Sequence, residues 1–368
     1  MSQSIHRNES LDVLRCLAVL LVIGFHLPYY NLWGRAGWIG VDLFFVLSGF
    51  LISGLLFQEY KDTGALNIKR FLIRRGLKIY PSFFLLLGVA TCFHFLNPST
   101  ISKKQLIANW FFVQNYFHEN TISVALVHTW SLAVEEHFYL LLPPLFMLLI
   151  ALFSKRNPFR AIPLLFLTIA VSCLALRYFT LEPGTLAWMT HIRLDGLFTG
   201  VALGYLYHFR MELFRKLTGH YAPAVAVLLC VPALLFDQYD RIVQTFGLTC
   251  LAVGFSFLVA WSVVRTPKAP LARALWKASA RIGFYSYSIY LWHTVIVILF
   301  KNHPGLSAIK FWLYVATTIV TGIAMAHLVE MPYLALREKL FPACHDGSRP
   351  SVDSTESHAP PSVSATPV

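Results

Sequence analysis

The stretch LDVLRCLAVLLVIGFHLPYY, residues 11–30, decides how this chain is read. It is apolar enough to form a helix in hydrocarbon, yet it carries Asp12, Arg15 and His26. Ionisable side chains are costly inside a membrane, so those that persist there usually serve a function. Arg15 and His26 are eleven residues apart. At about 100° and about 1.5 Å per residue, that spacing brings both to within about 20° of one helix face, about 16 Å apart along it. A cation near one membrane surface and a titratable imidazole near the other thus share one wall.

The rest of the chain supports a membrane setting. It has 368 residues, of which 57% are hydrophobic and 13% charged, with a mean hydropathy of +0.60. Soluble domains carry nearer a quarter charged residues. The apolar segments are continuous rather than alternating, which selects helices over a membrane β-barrel. The expected fold class is all-α: a polytopic membrane helix bundle formed by residues 1–342. A Ser/Pro/Thr-rich tail, 343–368, is expected to be disordered, and no appended soluble domain is expected. Residues 11–30 are not read as a signal peptide, because the run is long, holds Arg and His, and precedes no small-residue cleavage site. The six cysteines are scattered without a CxxC or His/Cys cluster, so they are expected to be small buried hydrophobes and no metal is expected.

About ten spans can be drawn: 11–30, 38–57, 77–96, 130–152, 161–180, 191–208, 221–236, 245–264, 283–300 and 311–330. With the N terminus inside, inner segments hold 21 of the 30 Lys and Arg residues and outer segments 8, Arg15 being the remaining one. This positive-inside asymmetry puts both termini in the cytoplasm. The net charge of +12 then reflects orientation and anionic-lipid contact, not nucleic-acid binding. The connection 97–129, with NWFFVQNYF, reads as an interfacial anchor or a re-entrant lid.

Depth sorts the polar residues into two layers. His26, Asp42, Glu135, Glu136, Arg193 and Asp195 fall about one or two turns below the outer surface. Arg15 falls near the inner surface with Arg74, Arg75 and Lys78 of FLIRRGLKIYP. An imidazole beside a carboxylate suits general-base chemistry, and cations at the cytoplasmic side suit a phosphorylated donor. The basic residues also suit plain membrane anchoring, and Glu135 or Glu136 also suits an ion pair with Arg193. Ser48, Ser131 and Ser288 lie in no G-x-S-x-G turn, which weighs against a serine nucleophile.

At these residues the chain resembles the membrane acyltransferase-3 family, bacterial O-acyltransferases of surface and secreted glycans. The matching pieces are LDVLRCLAVLLVIGFH, GWIGVDLFFVLSGFLIS at 37–53, FLIRRGLKIYP at 71–81, TWSLAVEEHFYLLLPP at 129–144, RLDGLFTG at 193–200 and SYSIYLWH at 286–293. Lys78 stands where the family commonly has Arg, and His137 where Gln is common.

The resemblance implies a multi-pass protein of the bacterial inner membrane. It would move an acyl group, usually acetyl, from cytoplasmic acyl-CoA to a hydroxyl of a polysaccharide such as lipopolysaccharide, or of another lipid-linked or free glycan. On this reading Arg15, Arg74, Arg75 and Lys78 hold the CoA donor, and His26 is the general base, oriented by Glu135 or Asp42. Glu136, Arg193, Asp195, Tyr290 and His293 are candidate acceptor contacts. Direct transfer and an acyl-histidine intermediate both remain open. Two alternatives stand beside it: an acyltransferase acting on a lipid or small-molecule hydroxyl, and a transporter or flippase, which also uses buried charges.

Overall fold

The computed structural model describes residues 8–26, 32–96, 101–117, 125–153, 157–182, 184–301 and 308–342. The tail at 343–368, the outermost part of the first expected span at 27–30, and Lys155 and Arg156 lie outside them. Among the described residues the structure is helical and contains no strand.

The α-helices are α1 (Glu9–His26), α2 (Leu32–Ala36), α3 (Gly40–Thr63), α4 (Ile68–Leu96), α5 (Lys103–Trp110), α6 (Thr129–Leu152), α7 (Ile162–Thr180) and α8 (Leu194–Phe209). They continue with α9 (Met211–Lys216), α10 (Ala222–Leu235), α11 (Leu248–Val263), α12 (Pro270–Phe284), α13 (Ser286–Lys301), α14 (Ala308–Met325) and α15 (Met331–Leu340).

Each of the ten expected spans falls on one of these helices, but fewer of them meet the requirements for crossing a membrane. Six helical stretches among the described residues are long and apolar enough, or seven if α12 and α13, bent by 70° at their junction, form one broken span. The shortfall has physical causes. The 18 residues of α1 include Glu9, Asp12 and Arg15, while α8 and α10 have only 16 and 14 residues. A perpendicular crossing of hydrocarbon takes about 20 residues. The protein is a multi-pass membrane protein, and its outward faces carry the apolar side chains lipid requires, such as Leu164, Leu167, Val171 and Phe179 on α7.

Helix α1 is wrapped by α3, α11, α12, α13 and α14, which explains how a polar helix is accommodated. Close approach depends on glycine. A Cβ at Gly283 of α12 would lie 1.7 Å from the Asp12 carbonyl oxygen of α1. Where α3 crosses α8, a Cβ at Gly49 would lie 1.9 Å from the Leu197 oxygen, and one at Gly200 2.2 Å from the Val46 oxygen. Small residues allow this backbone contact, the usual basis of helix association in lipid.

The 97–129 connection is packed rather than loose where it is described. Asn109 is fully buried and accepts from Thr129 Oγ1 at 2.7 Å, and Asn115 donates to Thr190 Oγ1 at 2.9 Å. Trp110 and Phe111 remain exposed, as an interfacial anchor would be.

Candidate active site

A cavity of about 740 Å³ runs along the inside of the bundle. Its lining on α3 extends from Val41 to Glu59, or about 27 Å of helix. One end is formed by the start of α1 and α4 and the ends of α3 and α15, and it is cationic: Arg15, Arg70, Arg74, Arg75, Lys78 and Arg337 all line the cavity. The four residues expected to hold a donor, Arg15, Arg74, Arg75 and Lys78, are therefore brought together. On α4 the spacing of 74, 75 and 78 puts all three on one side of the helix.

Their partners divide them. Arg15 pairs with Asp12 at 2.5 Å, Arg70 with Glu59 at 2.6 Å, and Arg74 and Arg337 both with Glu338, at 3.0 and 2.5 Å. Arg75 and Lys78 have no hydrogen bond or ion pair among the described residues, and Arg75 Nε is buried without a partner. Two cations that face a cavity with no carboxylate in contact, Glu135 and Glu330 acting on Lys78 only at longer range, present a site for an anion.

Farther along, the cavity is lined by Tyr139 and Glu135, still within electrostatic reach of Arg75 and Lys78, and then by Ser131 and Tyr290. Tyr139 donates to Glu135 Oε2 at 2.9 Å and lies 2.8 Å from Ser48 Oγ. Glu135 and Tyr139 are one helical turn apart on α6, so they share a face. Lys78 and Arg15 lie near enough to act electrostatically on Glu135. The Tyr290 hydroxyl is 2.5 Å from Ser131 Oγ and donates to the His128 carbonyl at 2.9 Å.

Beyond Tyr290 stand three imidazoles. His26 Nδ1 is 3.3 Å from His293 Nε2, with ring centroids 4.7 Å apart. The His128 ring is 4.9 Å from that of His293, and the Tyr290 ring is 5.6 Å from it. The three histidines are not arranged to hold a metal ion.

The expected grouping of His26 with Asp42 and Glu135 differs from this geometry. Asp42 accepts from Arg193 Nη2 at 2.8 Å, both groups being buried. It lies on the α3 stripe of residues 42, 46, 49 and 53 that faces α8, so it shares a depth with His26 but not a face. Arg193 also stacks over Phe45 and Trp130, at 5.3 and 5.6 Å. Asp195 pairs with Arg177 at 2.8 Å and accepts from Thr249 at 2.7 Å. Both ion pairs are sealed into helix contacts. Glu136 points away from Glu135 and accepts a hydrogen bond from the Tyr80 hydroxyl. His137 is 2.6 Å from Thr190 Oγ1.

A family model described as an acyltransferase domain matches residues 8–329. The chain belongs to this acyltransferase family. Curated relatives include the peptidoglycan O-acetyltransferase OatA of Listeria monocytogenes, 29% identical over 88% of this chain and 55% of the relative. The putative peptidoglycan O-acetyltransferase YrhL of Bacillus subtilis is 30% identical over 88% of this chain and 54% of its own. The O-acetyltransferase OatA of Staphylococcus aureus is 29% identical over 90% and 58%. The chain thus spans a little over half the length of these relatives. No solved structure matches it.

Sequence reasoning passed over four residues that the structure brings forward. Arg177 is fully buried as the partner of Asp195, although its place at the end of an apolar run suggested a surface cation. Tyr139 was signalled only by its one-turn spacing from Glu135. Glu338 and His128 had no signal in spacing, since their partners are distant in sequence.

Proposed function

We propose that this protein is an integral-membrane O-acetyltransferase that takes the acyl group of acyl-CoA at the cytoplasmic side and delivers it to a hydroxyl of a cell-envelope glycan. The observation that carries the donor assignment is the pair of cavity cations, Arg75 and Lys78, which make no hydrogen bond or ion pair among the described residues. The CoA phosphates bind these two, with Arg15 and Arg74 beside them. Lys78 contributes a point charge and Arg75 a planar fork suited to phosphate. The cavity length, about 27 Å along α3, accommodates a nucleotide and an extended pantetheine arm with the thioester at the end lined by Tyr290 and Glu135.

His26 acts as the general base. It removes the proton of the acceptor hydroxyl, whose oxygen attacks the thioester carbonyl; the thiolate leaves and takes up the proton. Tyr290 stands between the cavity and the histidines, so its hydroxyl must release Ser131 and the His128 carbonyl for the thioester to meet His26. The names of the relatives make a peptidoglycan hydroxyl the first acceptor to test. The inner membrane is the expected location, with both termini cytoplasmic.

Purified protein in lipid nanodiscs, given radiolabelled acetyl-CoA and glycan fragments, should transfer label. His26→Ala should abolish transfer, and Arg75→Ala should raise the apparent acetyl-CoA KM about tenfold or more. Glycan movement without acetyl-CoA consumption would identify a transporter instead. Normal transfer by well-folded His26→Ala would remove His26 from the chemistry.

A further inference from the structure

We infer that His293 is a positioning residue for His26, holding, together with the Val22 carbonyl, the Nδ1–H that leaves Nε2 as the base; this rests on the assignment of His26 as the base given above.

His26 Nδ1 lies 3.0 Å from the Val22 carbonyl oxygen and 3.3 Å from His293 Nε2. A carbonyl oxygen only accepts, so the proton of neutral His26 sits on Nδ1. His293 Nδ1 is hydrogen-bonded to the Tyr290 carbonyl oxygen, so its proton also sits on Nδ1. That leaves a lone pair on His293 Nε2, aimed at the His26 Nδ1–H. The two assignments agree: one N–H is shared between Val22 O and His293 Nε2. His26 Nε2 is then left with its lone pair free for a substrate proton.

A carboxylate does this work in many hydrolases, holding the imidazole and stabilising its cation. Here a fully buried neutral imidazole takes that place. It accepts from Nδ1–H before and after His26 gains a proton on Nε2, so no proton needs to move between the rings. His293 is itself held from both sides. Its Nδ1 is tied to the preceding turn of α13, and the His128 ring packs edge-on at 72°. His128 is fixed in turn by Thr294. The Thr294 hydroxyl donates to Ala125 O at 2.9 Å, and its oxygen lies 3.3 Å from His128 Nδ1. His293 is therefore assigned to orienting the base, not to contacting the acceptor sugar.

The test compares His293→Leu, which removes the acceptor, with His293→Gln, whose amide oxygen reaches the position of Nε2. His293→Leu should lower kcat about 100-fold, the scale of loss for a misplaced catalytic group, while the acetyl-CoA KM stays within about twofold, as an orienting role requires. His293→Gln should recover most of that loss. Nitrogen NMR of histidine-labelled wild-type protein should show the His26 proton on Nδ1; in His293→Leu, where the Val22 carbonyl alone accepts it, the proton should stay on Nδ1 but its resonance should shift. A wild-type kcat in His293→Leu overturns the inference, as does a His293→Gln variant no better than Leu, or a His26 proton found on Nε2 in the wild type. If His26→Ala is inactive while His293→Leu is normal, the positioning role fails and the base assignment stands. An active His26→Ala removes the base assignment itself.

Discussion

Arg74 holds Glu338 with both terminal nitrogens: Nη1 donates to Oε2 at 3.1 Å and Nη2 to Oε1 at 3.0 Å. Nη1 also donates to the Phe341 carbonyl, so α15 and the residue following it occupy a guanidinium proposed to meet the donor. Arg337 binds the same carboxylate from α15 itself.

Glu338 and a donor phosphate compete for Arg74. Glu338 is half exposed, so the ion pair is worth about 0.5–1 kcal/mol, as for surface pairs. Glu338→Gln should therefore lower the apparent acetyl-CoA KM by about two- to fivefold, with kcat little changed, in initial-rate assays across donor concentrations. A raised KM would mean instead that Glu338 holds Arg74 in its productive place.

The Asp42–Arg193 and Asp195–Arg177 pairs are both buried, at 2.8 Å each. Removing one partner of such a pair strands a charge and costs about 3–5 kcal/mol. Asp42→Asn and Asp195→Asn should each lower the thermal unfolding midpoint in detergent markedly, while acyl transfer per folded molecule stays near normal. Asp42→Asn that is stable but inactive would return Asp42 to the chemistry.

The helical fold and the gathering of Arg15, Arg74, Arg75 and Lys78 were legible because each depends on depth alone, and hydropathy and charge report depth. Azimuth was not legible. Asp42 and His26 share a level, but the stripe 42, 46, 49 and 53 turns Asp42 towards α8, a direction hinted at only by the glycine at 49. His293 falls on the span drawn from 283 to 300. The 70° break between α12 and α13 starts that helix at Ser286, and His293 meets His26 across 267 residues of sequence. No local pattern encodes a contact of that range. The count of ten spans exceeds the six or seven helices long and apolar enough to cross for a related reason: a window of hydropathy reports an apolar helix, and not whether 14 or 16 residues suffice to cross.

Glu135 offers the sharpest separation of binding from chemistry. It lines the cavity, receives the Tyr139 hydroxyl at 2.9 Å, and lies among the fields of Lys78 and Arg15. Its negative charge opposes the approach of an anionic donor, so Glu135→Gln, which keeps the shape and the hydrogen bond from Tyr139, should lower the acetyl-CoA KM by about two- to fivefold, the effect of one nearby charge partly screened. If Glu135 also stabilises the cation that forms on His26, kcat should fall in the same variant by tenfold or more. In the structure Glu135 meets Tyr139 and the field of the cavity cations, and His26 meets Val22 and His293. The expected result is therefore a lowered KM with kcat reduced less than tenfold, measured at saturating glycan. A collapse of kcat with KM unchanged would place Glu135 at the reacting atoms and assign donor binding to the cations alone.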